Sequence, residues 1–229
     1  MSWVKQLKNN RLFKITGANG IVIGFRLVVT LGVQRILAKS LEEYGIAKIG
    51  DLRNILAMLT SLTSLGIFSG MVKLVSQYEK EPSQLKNLLS TSFLFTICGS
   101  ILSSLVLVVF AEPLSVWFFD APNYVEVFYT LAIVTPAIGL HRIFNAVVHG
   151  MSQFKKYAKI ELIAYILSAG LTLLGLYFNH LKGVLIAISI GPFIQLLTLI
   201  FIFGKTLKPF VAAVRAQTRS TVFQNHCLC

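Results

Sequence analysis

Arg26 is the residue of this sequence best placed to do chemistry. It lies in an apolar stretch, where an ionised side chain costs about 2.5–3.5 kcal/mol on insertion scales. At 100° per residue, Thr16, Asn19, Thr30 and Gln34 share a sector of about 80° with it. Lipid would not face such a stripe, so it lines a cavity or a helix contact. A guanidinium among amides and hydroxyls binds phosphate or carboxylate through charge-assisted hydrogen bonds. The same arginine could instead only tie helices together, and the residue types leave both roles open.

A second group follows at i, i+1, i+4 and i+8: His141, Arg142, Asn145 and His149, with Pro136 upstream as a possible kink. It could face a substrate. Alternatively, Arg142, about two turns from the end of its stretch, could snorkel to the interface and pair helices. The two histidines have no clear third ligand nearby, so no metal is assigned. Milder polar stripes are Glu161, Tyr165, Ser168 and Thr172, and Ser92, Thr96, Ser100 and Ser103, which are expected mostly to pack. Gly66 and Gly70 form a G-x-x-x-G, a close-packing device. Glu161 is an acidic residue expected inside a span, near its end. No carboxylate deep enough for a proton relay is visible.

These groups sit on elements that the composition defines. Only 13% of the 229 residues are charged, 55% are hydrophobic and mean hydropathy is +0.73. Lipid must cover such a surface. The expected fold is an all-α membrane protein with about six transmembrane helices, at 15–38, 52–75, 88–110, 125–150, 160–178 and 184–204. Residues 1–210 form one transmembrane bundle and 211–229 a polar tail. Arg26 falls near the middle of the first span, too deep to snorkel easily.

The net charge of +12 points to anionic lipid rather than nucleic acid, because the basic residues sit in short loops. Lys5, Lys8, Arg11 and Lys14 precede the first span, and Lys73, Lys80 and Lys86 flank the second connection. Lys155, Lys156 and Lys159 occupy the fourth, and Lys205, Lys208, Arg215 and Arg219 lie in the tail. The opposite side has Arg35, Lys39, Lys48, Arg53 and Lys182. This bias puts both termini in the cytoplasm. Trp117, Phe118 and Phe119, in a connection without Lys or Arg, suit the outer interface. Cys98 reads as a small hydrophobe, and Cys227 and Cys229 imply neither disulfide nor metal.

The stretch L-G-I-F-S-G-M-V-K-L-V-S-Q-Y at 65–78, with E-P-S-Q-L-K after it, resembles the second helix and following loop of Wzx-type polysaccharide flippases. H-G-M-S-Q-F-K-K-Y-A at 149–158 is similar to the corresponding fourth-helix exit, and the opening helix with its basic preface also fits. The resemblance runs to about residue 210. It implies the multidrug/oligosaccharidyl-lipid/polysaccharide superfamily fold, two helical bundles around a central cavity, of which this chain would be the N-terminal half. It further implies flipping of undecaprenyl-pyrophosphate-linked oligosaccharide from the cytoplasmic to the periplasmic leaflet of a bacterial inner membrane. The product would feed O-antigen, lipopolysaccharide or enterobacterial common antigen assembly. Implied partners are the lipid-linked oligosaccharide, membrane lipids, and glycan polymerase and chain-length components. No cofactor and no enzymatic activity are implied.

Cationic cavity residues of that family meet the pyrophosphate. Arg26 matches such a role best and Arg142 less well, with Asn19, Gln34, His141 and Asn145 beside them as candidate substrate contacts. The family normally has about twelve helices. This chain is therefore expected to be a truncated or frameshifted form, inactive alone or paired with another copy. Competing functions are a multidrug or cation exporter, for which deep carboxylates are lacking, and a polyprenyl-phosphate glycosyltransferase, for which Glu42-Glu43 is the only acidic pair. A non-transporting component of a glycan-assembly complex is a further alternative.

Overall fold

The computed structural model describes residues 11–64, 68–78, 81–150 and 154–226, with side chains described outside 11–19, 21, 82, 86, 154–157 and 203–226. The elements are α1 (Arg11–Ser64), α2 (Phe68–Gln77), α3 (Pro82–Val109), α4 (Ala111–Phe119), a 3-10 turn (Pro122–Tyr124), α5 (Val125–Gly150) and α6 (Phe154–His226). Among the described residues there is no strand. Helices satisfy every backbone group within the segment, which hydrocarbon demands.

By length and hydropathy, Ser83–Val109, Pro122–Gly150 and Ala158–Ile202 can each cross a bilayer. Val22–Ser64 with Phe68–Gln77, bent by 49°, makes a fourth such stretch. Two of the four fold back on themselves. The 45 residues of Ala158–Ile202 would reach about 68 Å if straight, roughly twice a bilayer core. They break at Asn179 (φ −144°, ψ 25°) and His180 (φ 45°, ψ −130°), inside the expected 179–183 turn. Across this break Gly175 and Gly183 touch, and a methyl on either would overlap the other's carbonyl. Only glycine lets the two arms approach so closely.

α1 breaks in the same way at Glu42 (φ 55°, ψ −173°), a conformation nearly reserved for glycine that costs about 1–3 kcal/mol. Arg26 on its first arm meets Glu161, whose neighbour Ile160 packs in a cluster with Met71, Val75, Leu85, Val147 and Leu199. Met71 and Val75 lie beyond the second arm of α1. The chain therefore leaves that end of the bundle and returns to it. Against the six spans expected, four stretches are long and apolar enough to cross, two of them broken internally, with Pro136 inside α5, which continues as one helix.

The register ties α1 to α6. Arg26 meets Glu161 and Thr30 meets Tyr165, both 135 residues apart, so the first arms of α1 and α6 run parallel. A Cβ on Gly45 would lie 3.5 Å from Leu181, which keeps almost the same offset at the far end. The expected fifth span, 160–178, thus lies level with about 25–43 of α1, and Arg26 stands level with its start.

Two cores hold the ends. Near the reversals, Leu52, Phe119, Val127, Phe128, Leu131, Val184 and Leu185 are fully buried. Phe119 was expected at the interface with Trp117. It instead turns inward against Tyr124 and Phe128, at ring distances of 5.3 and 5.6 Å, while Trp117 stays exposed. Thr96 and Ser100 of the expected packing stripe abut Gly139, where a Cβ would come within 2.5 and 2.7 Å of them. The G-x-x-x-G expectation is corrected at Gly70, where a Cβ would meet nothing within 4 Å. Gly66 lies outside the described residues.

Candidate anion site on the first helix

The Arg26 guanidinium donates to the Glu161 carboxylate at 3.0 Å. Its carbon lies 5.0 Å from the centre of the Tyr165 ring, a cation–π distance. Thr30 Oγ1 donates to the Arg26 carbonyl at 2.7 Å and lies 2.6 Å from the Tyr165 hydroxyl. The i, i+4 spacing of Arg26 and Thr30 thus meets the i, i+4 spacing of Glu161 and Tyr165 across parallel helices. The Arg26 side chain keeps 49% of its surface exposed and Glu161 21%. An ion pair this open contributes only about 0–1 kcal/mol, so a competing anion can displace it.

Gln34 lies on the same arm and is exposed. Asn19 is helical, but its side chain lies outside the described residues, as does that of Thr16. Residue types alone did not reveal that Glu161 and Tyr165, singled out as a packing stripe, are the partners of Arg26. The usable signal was the equal spacing of the two stripes.

The second predicted group lies on α5. The Arg142 guanidinium carbon sits 3.9 Å from the Phe68 ring centre, and the Phe68 and His149 rings meet edge to face at 6.4 Å. Asn145 is buried, whereas His141 and Arg142 are half-buried. Among the described residues, Arg142 Nε and Asn145 Oδ1 are buried side-chain atoms without a hydrogen-bond partner, as are Ser100 Oγ and Ser168 Oγ. One turn of α5 thus presents an open donor and an open acceptor.

The opposite end is closed. Lys48, 7% exposed, donates to the Phe118 carbonyl at 3.0 Å and to Asp120 at 2.5 Å, and lies 5.1 Å from the Tyr44 ring. The Tyr44 hydroxyl donates to the Phe119 carbonyl at 3.1 Å. Asp120 sits in the left-handed region (φ 53°, ψ 18°) that ends α4, which aspartate tolerates. Lys182 pairs with Glu126 at 2.9 Å.

The sequence model of the polysaccharide biosynthesis protein family matches residues 33–215. The chain belongs to that family. Over 118 residues it is 30% identical to the lipid III flippases of Escherichia coli strain K12 and of Shigella flexneri, a stretch that is 52% of this chain and 28% of each relative. The match therefore spans little more than a quarter of the length of these curated relatives. No solved structure matches the chain. The family match agrees with the resemblance seen in the sequence. It includes Gln34, Glu161, His141, Arg142 and Asn145, whereas Arg26 and Asn19 precede it.

Proposed function

We propose that this protein takes part in moving a polyprenyl-diphosphate-linked oligosaccharide from the cytoplasmic to the outer leaflet of a bacterial inner membrane, as a transporter and not an enzyme. The observation that carries this reading is Arg26: a half-exposed guanidinium level with the start of the expected fifth span, held by a displaceable carboxylate beside the Tyr165 ring. If the basic loops and both ends face the cytoplasm, as the charge bias favours, this is headgroup depth in the cytoplasmic leaflet. A lipid diphosphate lies at that depth before it is flipped. It would exchange with Glu161 for Arg26, forming charge-assisted hydrogen bonds, while its lipid tail stays in the bilayer. The sugar would then meet polar groups such as Gln34, His141, Arg142 and Asn145.

Translocation in such folds is rocking of two bundles about a shared site. Residues 1–210 would supply one bundle, with 211–229 as its tail, and the facing wall would come from a second bundle. Glycan polymerase and chain-length components are the proposed neighbours, and O-antigen or enterobacterial common antigen the proposed products.

The test uses a photoreactive polyprenyl diphosphate in membranes containing this chain, together with surface glycan in cells lacking their own flippase. Arg26→Ala should lose crosslinking and any restored glycan at unchanged expression. Crosslinking equal to the parent would overturn the reading.

A further inference from the structure

α4 joins α3 to the 3-10 turn at the reversal end of the bundle, and packing sets its direction. Ser104 Oγ donates to the Ala132 carbonyl, and Thr96 and Ser100 abut Gly139. α3 and α5 are therefore antiparallel, with Phe128 level with about residue 108 of α3. The Phe119 and Phe128 ring centres are 5.6 Å apart. Had α4 continued along the axis of α3, Phe119 would stand about 16 Å beyond that level. It stands beside it, so α4 runs across the end of the bundle. The chain turns at Phe110 (φ −102°, ψ 18°). Tyr44 and Lys48 of α1 hold the far end of α4 through the Phe119 and Phe118 carbonyls.

This end lies where hydrocarbon stops. Ser83–Val109 has 27 residues, about 40 Å of helix against a hydrocarbon core of about 30 Å. The exposed surface of α3 stays apolar to its last turn, through Leu102, Leu105, Val106 and Val109, and Phe110 carries it into α4. On α4, Ala111, Ser115 and Phe119 face the bundle. At 100° per residue the other side chains follow round the helix as Glu112, Val116, Pro113, Trp117, Leu114 and Phe118. Val116 and Trp117 are exposed, Trp117 over 78% of its surface. An open apolar face that continues the surface of a spanning helix suits lipid. Glu112 at its edge and Asp120 past its end are charged and exposed, which keeps the helix out of the hydrocarbon. Tyr177 and Phe178, exposed beside the α6 reversal, bring further aromatics to this end. Tryptophan and tyrosine favour headgroup depth, where the ring meets acyl chains and the N–H or O–H meets water.

We propose that α4 is an interfacial anchor, lying in the bilayer–water boundary with Trp117 among headgroups and upper acyl chains and Glu112 in water. Its partner is the lipid surface itself. The clasp from Tyr44 and Lys48 fastens the Glu42 reversal of α1 to that boundary. The anchor does not depend on the cargo proposed above.

Trp3 and Trp117 are the two tryptophans of the chain, so Trp3→Phe leaves Trp117 as a single fluorescent probe. The full chain is reconstituted in phosphatidylcholine brominated either high on the acyl chain or near its end. Bromines near the headgroup should quench Trp117 at least about twofold more than those near the chain end, and aqueous iodide should quench it less than half as strongly as it quenches free N-acetyltryptophanamide. Strongest quenching near the chain end would put α4 inside the hydrocarbon. Iodide quenching equal to that of the free indole would put it in water, and resistance to all quenchers would mean that protein covers it. Each of these overturns the anchor. Should Trp3→Phe fail to fold, the difference in quenching between the parent and Trp117→Phe reads the same probe. Glu112→Cys, with Cys98, Cys227 and Cys229 replaced by Ser, should react with a charged methanethiosulfonate at least about tenfold faster than Leu102→Cys. Equal rates would contradict the wet edge and with it the boundary position.

Discussion

Lys48 and Arg26 are cations on one helix, and the fold holds them in opposite ways. Lys48 is buried at the reversal end, shared between a backbone carbonyl, a carboxylate and an aromatic face. Around it Phe119 is sealed among rings, and the reversals at Glu42 and Asn179–His180 are closed by Gly45 against Leu181 and by Gly175 against Gly183. Arg26, at the other end, has half its side-chain surface exposed, with one carboxylate partner and the Tyr165 ring beside it. Near it, Arg142 and Asn145 keep buried atoms unpaired among the described residues. A buried cation with two hydrogen bonds serves the fold. One held loosely, among polar groups with capacity to spare, can serve a ligand. One end of the bundle is built for closure and the other for exchange.

The contrast can be broken at the closed end first. Gly183→Ala forces a methyl into the Gly175 carbonyl and should cost about 3 kcal/mol, the upper range for overpacking. Thermal melting in detergent should register it as the largest loss among single changes at either end. Lys48→Ala should cost less, about 1–2 kcal/mol, because Asp120 remains 73% exposed and water can take over part of the pair. The bond to the Phe118 carbonyl accounts for most of that loss. Neither change should alter binding of inorganic pyrophosphate by the folded protein. A clear fall in that affinity with Lys48→Ala would dissolve the distinction between the two ends.

Much of the fold was legible because bilayer thickness leaves few choices. Apolar stretches of about 20 residues between short basic connections can only be crossing helices. The break at Asn179–His180 fell inside the expected turn for that reason. Depth along each helix was harder to read. Hydropathy rises gradually from residue 15, so nothing local marks where the membrane begins. Only packing against α6 set the register, pairing Arg26 with Glu161 and Thr30 with Tyr165. Pairings were less legible still. Glu161 and Tyr165 carried the right spacing, yet which stripe meets which depends on the order of helices in the bundle. Phe119 misled because an aromatic cluster fits an interface and a core equally well. The family match begins beyond Arg26, so the case for that residue stands on geometry.

The most direct test of the exchange account is the affinity of the reconstituted protein for inorganic pyrophosphate in two variants that break the same ion pair from opposite sides. Arg26→Ala removes the cation, and Glu161→Gln removes its resident competitor. Binding should weaken at least about tenfold in the first and tighten by about two- to fivefold in the second, the range expected for releasing a partly exposed pair. Equal weakening in both would mean that the pair only braces two helices. Unchanged binding in both would mean that the anion never meets Arg26.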